Sequence, residues 1–212
     1  MGNLYKSEIV KFGKLIYERN LNAAYGGNIS VRDGDKIYIT PSGFNKAFLT
    51  EDDILVTDIS GNILEPPINP VKPSSESKMH YAIYKSRKDV KAIIHAHPSY
   101  CVSLAISHKN LENLLPETTI VLGEVGFVPY ITPGGSKLGN TVARALTKGD
   151  ACIMGNHGAT VVGNNLFEAF NKLELLESTA KSFVFSLLMG EVNTIPQKDV
   201  SLFIDMHKKL SL

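Results

Sequence analysis

The chain has 212 residues, 43% hydrophobic and 20% charged, enough to bury one core, so a single domain over residues 1–212 is expected. Its 22 Lys and Arg against 21 Asp and Glu leave a net charge of +1, which excludes an electrostatic footprint for nucleic acid or an anionic membrane surface. No apolar run approaches the roughly 18 residues of a membrane span, and the charged start MGNLYKSEIVKFGKL lacks the apolar stretch of an export signal. A cytoplasmic protein is expected, with Cys101 and Cys152 as two buried free thiols.

In chain order, Ser7 to Arg19 carries a helical stripe of Ile9, Val10, Phe12, Leu15 and Ile16. Asp33-Gly34 marks a turn, followed by short strands at Lys36 to Thr40 and Ile54 to Ile59. Gly61 to Pro73, with four prolines, reads as a surface loop. Ser75 to Arg87 reads as a helix capped by Ser74. Val90 to His97 is a strand, Ser99 to Ile106 a short helix, Val125 to Ile131 a strand and Ser136 to Leu146 a helix. Two strands, Ala151 to Met154 and Ala159 to Val162, flank the turn Gly155-Asn156-His157-Gly158. Asn165 to Leu188 is a long helix, with Asn165 and Glu168 at its start and Gly190 at its stop. The last twenty or so residues read as a weaker helical tail. This alternation suggests a central sheet with helices on its faces.

The chemistry centres on histidine. In Ile-Ile-His95-Ala-His97-Pro, the period of two along a strand turns both imidazoles to one face. Such a pair suits a shared metal ion as well as ordinary hydrogen-bonded histidines. His157, in a turn flanked by Gly155 and Gly158, supplies a third imidazole. Three protein ligands with an open fourth position are the mark of catalytic zinc. His80, His108 and His207 read as surface or helix-face residues without partners, and Tyr25 and Tyr130 as structural. Glu76, in the first turn of its helix, is either a partner for the helix dipole or a carboxylate near the metal.

Three segments of small residues could hold an anion through backbone N–H groups and hydroxyls: Gly26-Gly27-Asn28-Ile29-Ser30, Thr40-Pro41-Ser42-Gly43, and Ser74-Ser75 at a helix start. No Walker or Rossmann glycine pattern is present.

Taken in order, Gly-Gly-Asn-Ile-Ser, Thr-Pro-Ser-Gly, Pro-Ser-Ser-Glu, His-Ala-His-Pro and Asn-His-Gly resemble the class II aldolase/adducin family, most closely its L-fuculose-1-phosphate aldolase-like branch, over roughly residues 7 to 190. The resemblance implies an α/β fold, a three-layer α/β/α domain with a largely antiparallel central sheet. It implies zinc, or another divalent ion, held by His95, His97, His157 and Glu76, with Glu76 also moving a proton. Phosphate would be bound by Gly27, Asn28, Ser42, Gly43, Ser74 and Ser75. Glu117 would supply a second acid or base, as some relatives use a glutamate nearby, while the tyrosines that bacterial fuculose-phosphate enzymes use have no match here. The implied activity is retro-aldol cleavage of a 1-phosphoketose by a homotetramer with active sites near subunit interfaces. The same pattern leaves open an epimerase, a decarboxylase of phosphorylated keto-acids, or a non-catalytic adducin-like interaction module. Glu76, where 4-epimerases usually carry Asp, favours the aldolase.

Overall fold

The computed structural model describes residues 2–111 and 113–210, with side chains from Leu4 onward. Met1, Glu112, Ser211 and Leu212 of the expected 1–212 domain lie outside the described residues. The first helix, α1 (Gly2–Glu18), starts earlier than the expected Ser7. It buries the stripe Ile9, Phe12 and Ile16, spaced three and four apart as one helix face requires.

Among the described residues, eight strands form one sheet in the order β4-β3-β2-β1-β5-β8-β7-β6. They are β1 (Asn28–Asp33), β2 (Lys36–Ile39), β3 (Leu55–Thr57), β4 (Ile63–Glu65), β5 (Ala92–Ala96), β6 (Gly126–Val128), β7 (Ala151–Met154) and β8 (Gly158–Gly163). Every pairing is antiparallel except β6 with β7. The remaining helices are α2 (Ser77–Ser86), α3 (Ser99–Ile106), α4 (Pro116–Leu122), α5 (Ser136–Ala145), α6 (Leu166–Met189) and α7 (Gln197–Leu210).

Side chains alternate along each strand and feed two cores. Ala92, Ile94 and Ala96 of β5 join Ile29, Val31, Ala159 and Val161 in one core with α1, α3 and α6. Ile93 joins Ile37, Ile39 and Val162 in the other, with Met79, Ile83 and Tyr84 of α2 and Leu138 and Val142 of α5. The period-two geometry of strands accounts for this division.

Several boundaries differ from expectation. The segment Gly26–Ser30 is not wholly loop: β1 begins at Asn28 and pairs on both sides, with β2 and β5. Its polar residues Asn28 and Ser30 obscured the strand because their partners come from a distant helix. The proline-rich loop contains β4, an exposed edge strand joined to β3 through an irregular register. The strand expected from Val125 to Ile131 shrinks to three residues. Helix α4 was not anticipated, although Pro116 at its start suits a first helical position. Asn165 does cap α6, accepting from the backbone N–H of Glu168, and Gly190 ends it at φ 142°.

Candidate metal centre

A polar row crosses the middle of the sheet. Asn28 of β1 lies opposite His95 of β5, and His95 lies opposite Thr160 of β8. By strand parity these three face α2, on the side of the second core. Glu76 stands at the N-cap position of α2, where Ser74 was expected. Ser74 instead accepts the Glu76 N–H at 3.3 Å. This places the carboxylate over the row, with Glu76 Oε2 3.1 Å from His95 Nε2.

His97 lies one residue past β5 and keeps the parity of His95, so their Nε2 atoms are 3.1 Å apart. His157 enters from the β7–β8 turn, its Nε2 3.3 Å from Glu76 Oε1. Ligating atoms of the three histidines lie within 4.8 Å of one another. In this turn Asn156 is the residue that adopts a left-handed φ, 53°. It is held by its N–H to Ala105 O and by His108 at its side chain. Gly158 serves close approach: a Cβ there would stand 2.5 Å from the His97 ring. Gly26 does the same on the other side, where a Cβ would meet His97 Nδ1 at 2.6 Å. Asn22 joins these pieces, accepting from His97 N and donating to Gly26 O, each at 2.9 Å.

The protonation pattern favours a cation in the middle. His95 Nδ1–H donates to the Ala159 carbonyl at 2.9 Å, which fixes the tautomer and leaves the Nε2 lone pair facing the centre. That lone pair confronts a carboxylate oxygen and a second imidazole nitrogen, each at 3.1 Å. Burial, then the charges of His95 and His157, push His97 down to about 3. Burial, then the charge of His95, takes His157 to about 4. Burial works to raise the carboxyl of Glu76, but His95, His157 and Asn28 outweigh it and hold it at about 2. Glu76 Oε1 and His157 Nδ1 are buried and make no hydrogen bond. Imidazoles around a carboxylate suit zinc, whose bonds of about 2.0–2.1 Å set tetrahedral ligands roughly 3.3 Å apart. The donor set and its spacing fit such an ion.

His80 corrects the sequence reading most clearly. It is fully buried, and burial pushes it down to about 3. Ser30 Oγ lies 2.6 Å from its Nδ1 and 2.8 Å from the Tyr84 hydroxyl. The other ring nitrogen, Nε2, bonds Asn28 Oδ1. Asn28 then donates through Nδ2 to Glu76 Oε2 at 3.2 Å. A buried relay thus runs Tyr84–Ser30–His80–Asn28–Glu76. The i, i+4 spacing of Glu76 and His80 was the available signal. His207 is also buried, and its Nδ1–H donates to Ile120 O. His108 is a surface residue but has a partner in Asn156. Tyr25 and Tyr130 are 68% and 57% exposed, so neither is a core residue.

The three anion-loop segments converge on the same end of the sheet. Ser42 N–H donates to Lys72 O, and Pro41 bridges Pro73, which brings the second segment beside Ser74 and Ser75. Gly27 sits at φ 69° against His95 O. Gly43 has φ 75° with open space where a Cβ would be, so conformation rather than contact calls for glycine there. Ser42 and Ser75 are exposed, and Ser74 is buried. Glu117 is exposed in the first turn of α4, which packs on α6 and α7. No bond of the histidine cluster reaches it.

Known proteins resemble this chain. The profile of the Class II Aldolase and Adducin N-terminal domain matches residues 7–184. An L-fuculose phosphate aldolase from Methanocaldococcus jannaschii is 39% identical over 184 residues, covering 87% of this chain and 98% of that protein. A 3-oxo-tetronate 4-phosphate decarboxylase from Haemophilus influenzae is 33% identical, covering 92% of this chain and 93% of its own. A solved L-fuculose 1-phosphate aldolase superposes with a TM-score of 0.90 at 35% identity, over 98% of this chain and 96% of that one. Profile and relatives span nearly the whole sheet and every element that carries the histidines, so the chain belongs to the class II aldolase and adducin family.

Proposed function

We propose that this chain is a zinc-dependent lyase that cleaves a 1-phosphoketose, of the L-fuculose 1-phosphate type, to dihydroxyacetone phosphate and an aldehyde. The observation that carries the reading is the His95 lone pair, fixed by the Ala159 carbonyl and aimed between Glu76 and His97. His95, His97, His157 and Glu76 would hold the ion. Zinc bound there would supply a Lewis acid for the ketose.

The chain's own groups do the rest. Glu76, a carboxylate at rest, would take up a proton from solvent and deliver it to C3 once the C3–C4 bond has broken, balancing the proton lost from the C4 hydroxyl. The relay through Asn28 and His80 orients it. Gly27, Asn28, Ser42, Gly43, Ser74 and Ser75 would bind the phosphate, and that remote binding energy positions the reacting carbons. Glu117, exposed on α4, is assigned to the C4 hydroxyl of a substrate held by a neighbouring copy. That assignment presumes a cytoplasmic homotetramer of one-domain chains with sites near the interfaces. Exposed Tyr25 and Phe48, near the anion loops, are available for such contacts.

Zinc-loaded protein incubated with L-fuculose 1-phosphate and related 1-phosphoketoses should release dihydroxyacetone phosphate, read by a coupled assay. The likeness to a 3-oxo-tetronate 4-phosphate decarboxylase favours a second reading at the same centre. Carbon dioxide from that acid, with no triose phosphate from any ketose, would replace the aldolase by a decarboxylase. Neither product, in protein that holds no stoichiometric divalent ion, would leave an adducin-like interaction module.

A further inference from the structure

We propose that Lys46 is the charge partner of the substrate's phosphate and selects a phosphate ester over a neutral hydroxyl. The inference rests on the phosphate reading above and adds to it a residue outside the small-residue loops.

Lys46 is 2% exposed and opens the 3-10 turn Lys46–Phe48. That turn packs on α1 where Gly13 leaves room: a Cβ there would meet the Lys46 carbonyl oxygen at 2.9 Å. The side chain then turns back toward the loops. Its ammonium donates to Tyr25 O at 3.2 Å and to Phe44 O at 2.6 Å. Tyr25 immediately precedes Gly26-Gly27-Asn28, and Phe44 immediately follows Ser42-Gly43. One ammonium therefore ties together two of the three anion loops through their backbones.

The charge on this clamp has no protein counterpart. Among the described residues no carboxylate pairs with Lys46, whereas the other buried lysine, Lys172, has both Asp150 and Glu168. An ammonium has three donors, and the two carbonyls occupy two of them. Burial lowers its pKa to about 8, so it is mostly charged at neutral pH. A neutral amide could bridge two carbonyls. A buried cation without an acid is costly unless an anion joins it. A phosphate dianion held between the loops would supply that anion, and lysine serves phosphate as a point charge.

The test is calorimetric binding of glycerol 3-phosphate, with glycerol as the neutral comparison, to zinc-loaded wild type and to Lys46→Met, Lys46→Arg and Ser75→Ala. Wild type should bind the ester and not glycerol. Lys46→Met should weaken the ester about 10- to 100-fold with zinc content unchanged, the size of a charge-assisted contact. Lys46→Arg should recover most of that loss. Should Lys46→Met fail to fold, binding to wild type at pH 8.5 in buffers of different ionisation enthalpy gives the second readout. Proton uptake supports the assignment, because a phosphate raises the pKa of its ammonium partner, and no uptake overturns it. If Lys46→Met binds like wild type while Ser75→Ala is weakened, Lys46 is only a loop clamp. If wild type does not bind the ester, the phosphate reading itself falls.

Discussion

Two buried polar clusters occupy this sheet, and they are built on opposite terms. Around Asp150, at the start of β7, every charge is answered within the chain. Lys172 of α6 lies 2.7 Å and Arg87 3.0 Å from the Asp150 carboxylate, and Glu168 completes Lys172. Around His95 the account stays open. A carboxylate, three imidazoles and two buried atoms without hydrogen bonds share one space. The first cluster joins α2, α6 and the sheet and is complete as it stands. The second offers the donor set that a cation would take. Burial is severe in both, so it is internal charge matching that separates a structural cluster from a site.

His95→Ala would break the comparison most decisively. It should abolish stoichiometric zinc by elemental analysis and cut triose-phosphate release about 1,000-fold or more, the scale of losing a Lewis acid. Asp150→Asn should do the reverse. It leaves Lys172 and Arg87 without their shared carboxylate, so unfolding free energy should fall by about 3–5 kcal/mol in urea titrations, with zinc retained per folded molecule. A zinc loss as large as that of His95→Ala would erase the distinction between the clusters.

Glu76→Gln should keep more metal than activity, with kcat down about 100-fold and a smaller change in zinc affinity. Equal losses would make Glu76 mainly a ligand. His80→Phe removes the partner of Asn28, and kcat should fall about tenfold at near-constant KM while zinc stays bound. A change in KM alone would assign the relay to substrate binding.

A further effect is on acid stability of the zinc-free protein. His80, His97 and His157 lie at about 3, 3 and 4 in the fold against an ordinary 6.5. The unfolded chain therefore takes up protons first as pH falls below about 6.5, and stability declines from there toward pH 4. Glu76, held at about 2 against 4.5, adds a further loss below pH 4.5. Thermal melts should shift down between pH 7 and pH 5. A flat profile over that range would mean that the fold holds charged imidazoles.

Much of this was legible along the chain. The stripe Ile9, Phe12 and Ile16 marked α1, Asn165 and Gly190 bounded α6, and the parity of His95 and His97 put both rings on one face. These are local matters: helical and strand periodicity and end-capping depend on residues a few positions apart. The strand β1 escaped because Asn28 and Ser30 look like turn residues until His80 and Glu76, about fifty positions away, take up their hydrogen bonds. His80 escaped for the same reason. The sequence by itself determined which groups could hold a metal and a phosphate, since ligand chemistry belongs to residue type. Only the tertiary structure decided which lone pair faces which carboxylate, and that Lys172 is answered while Lys46 is not. Charge compensation is a property of neighbours in space, and the antiparallel sheet chooses those neighbours.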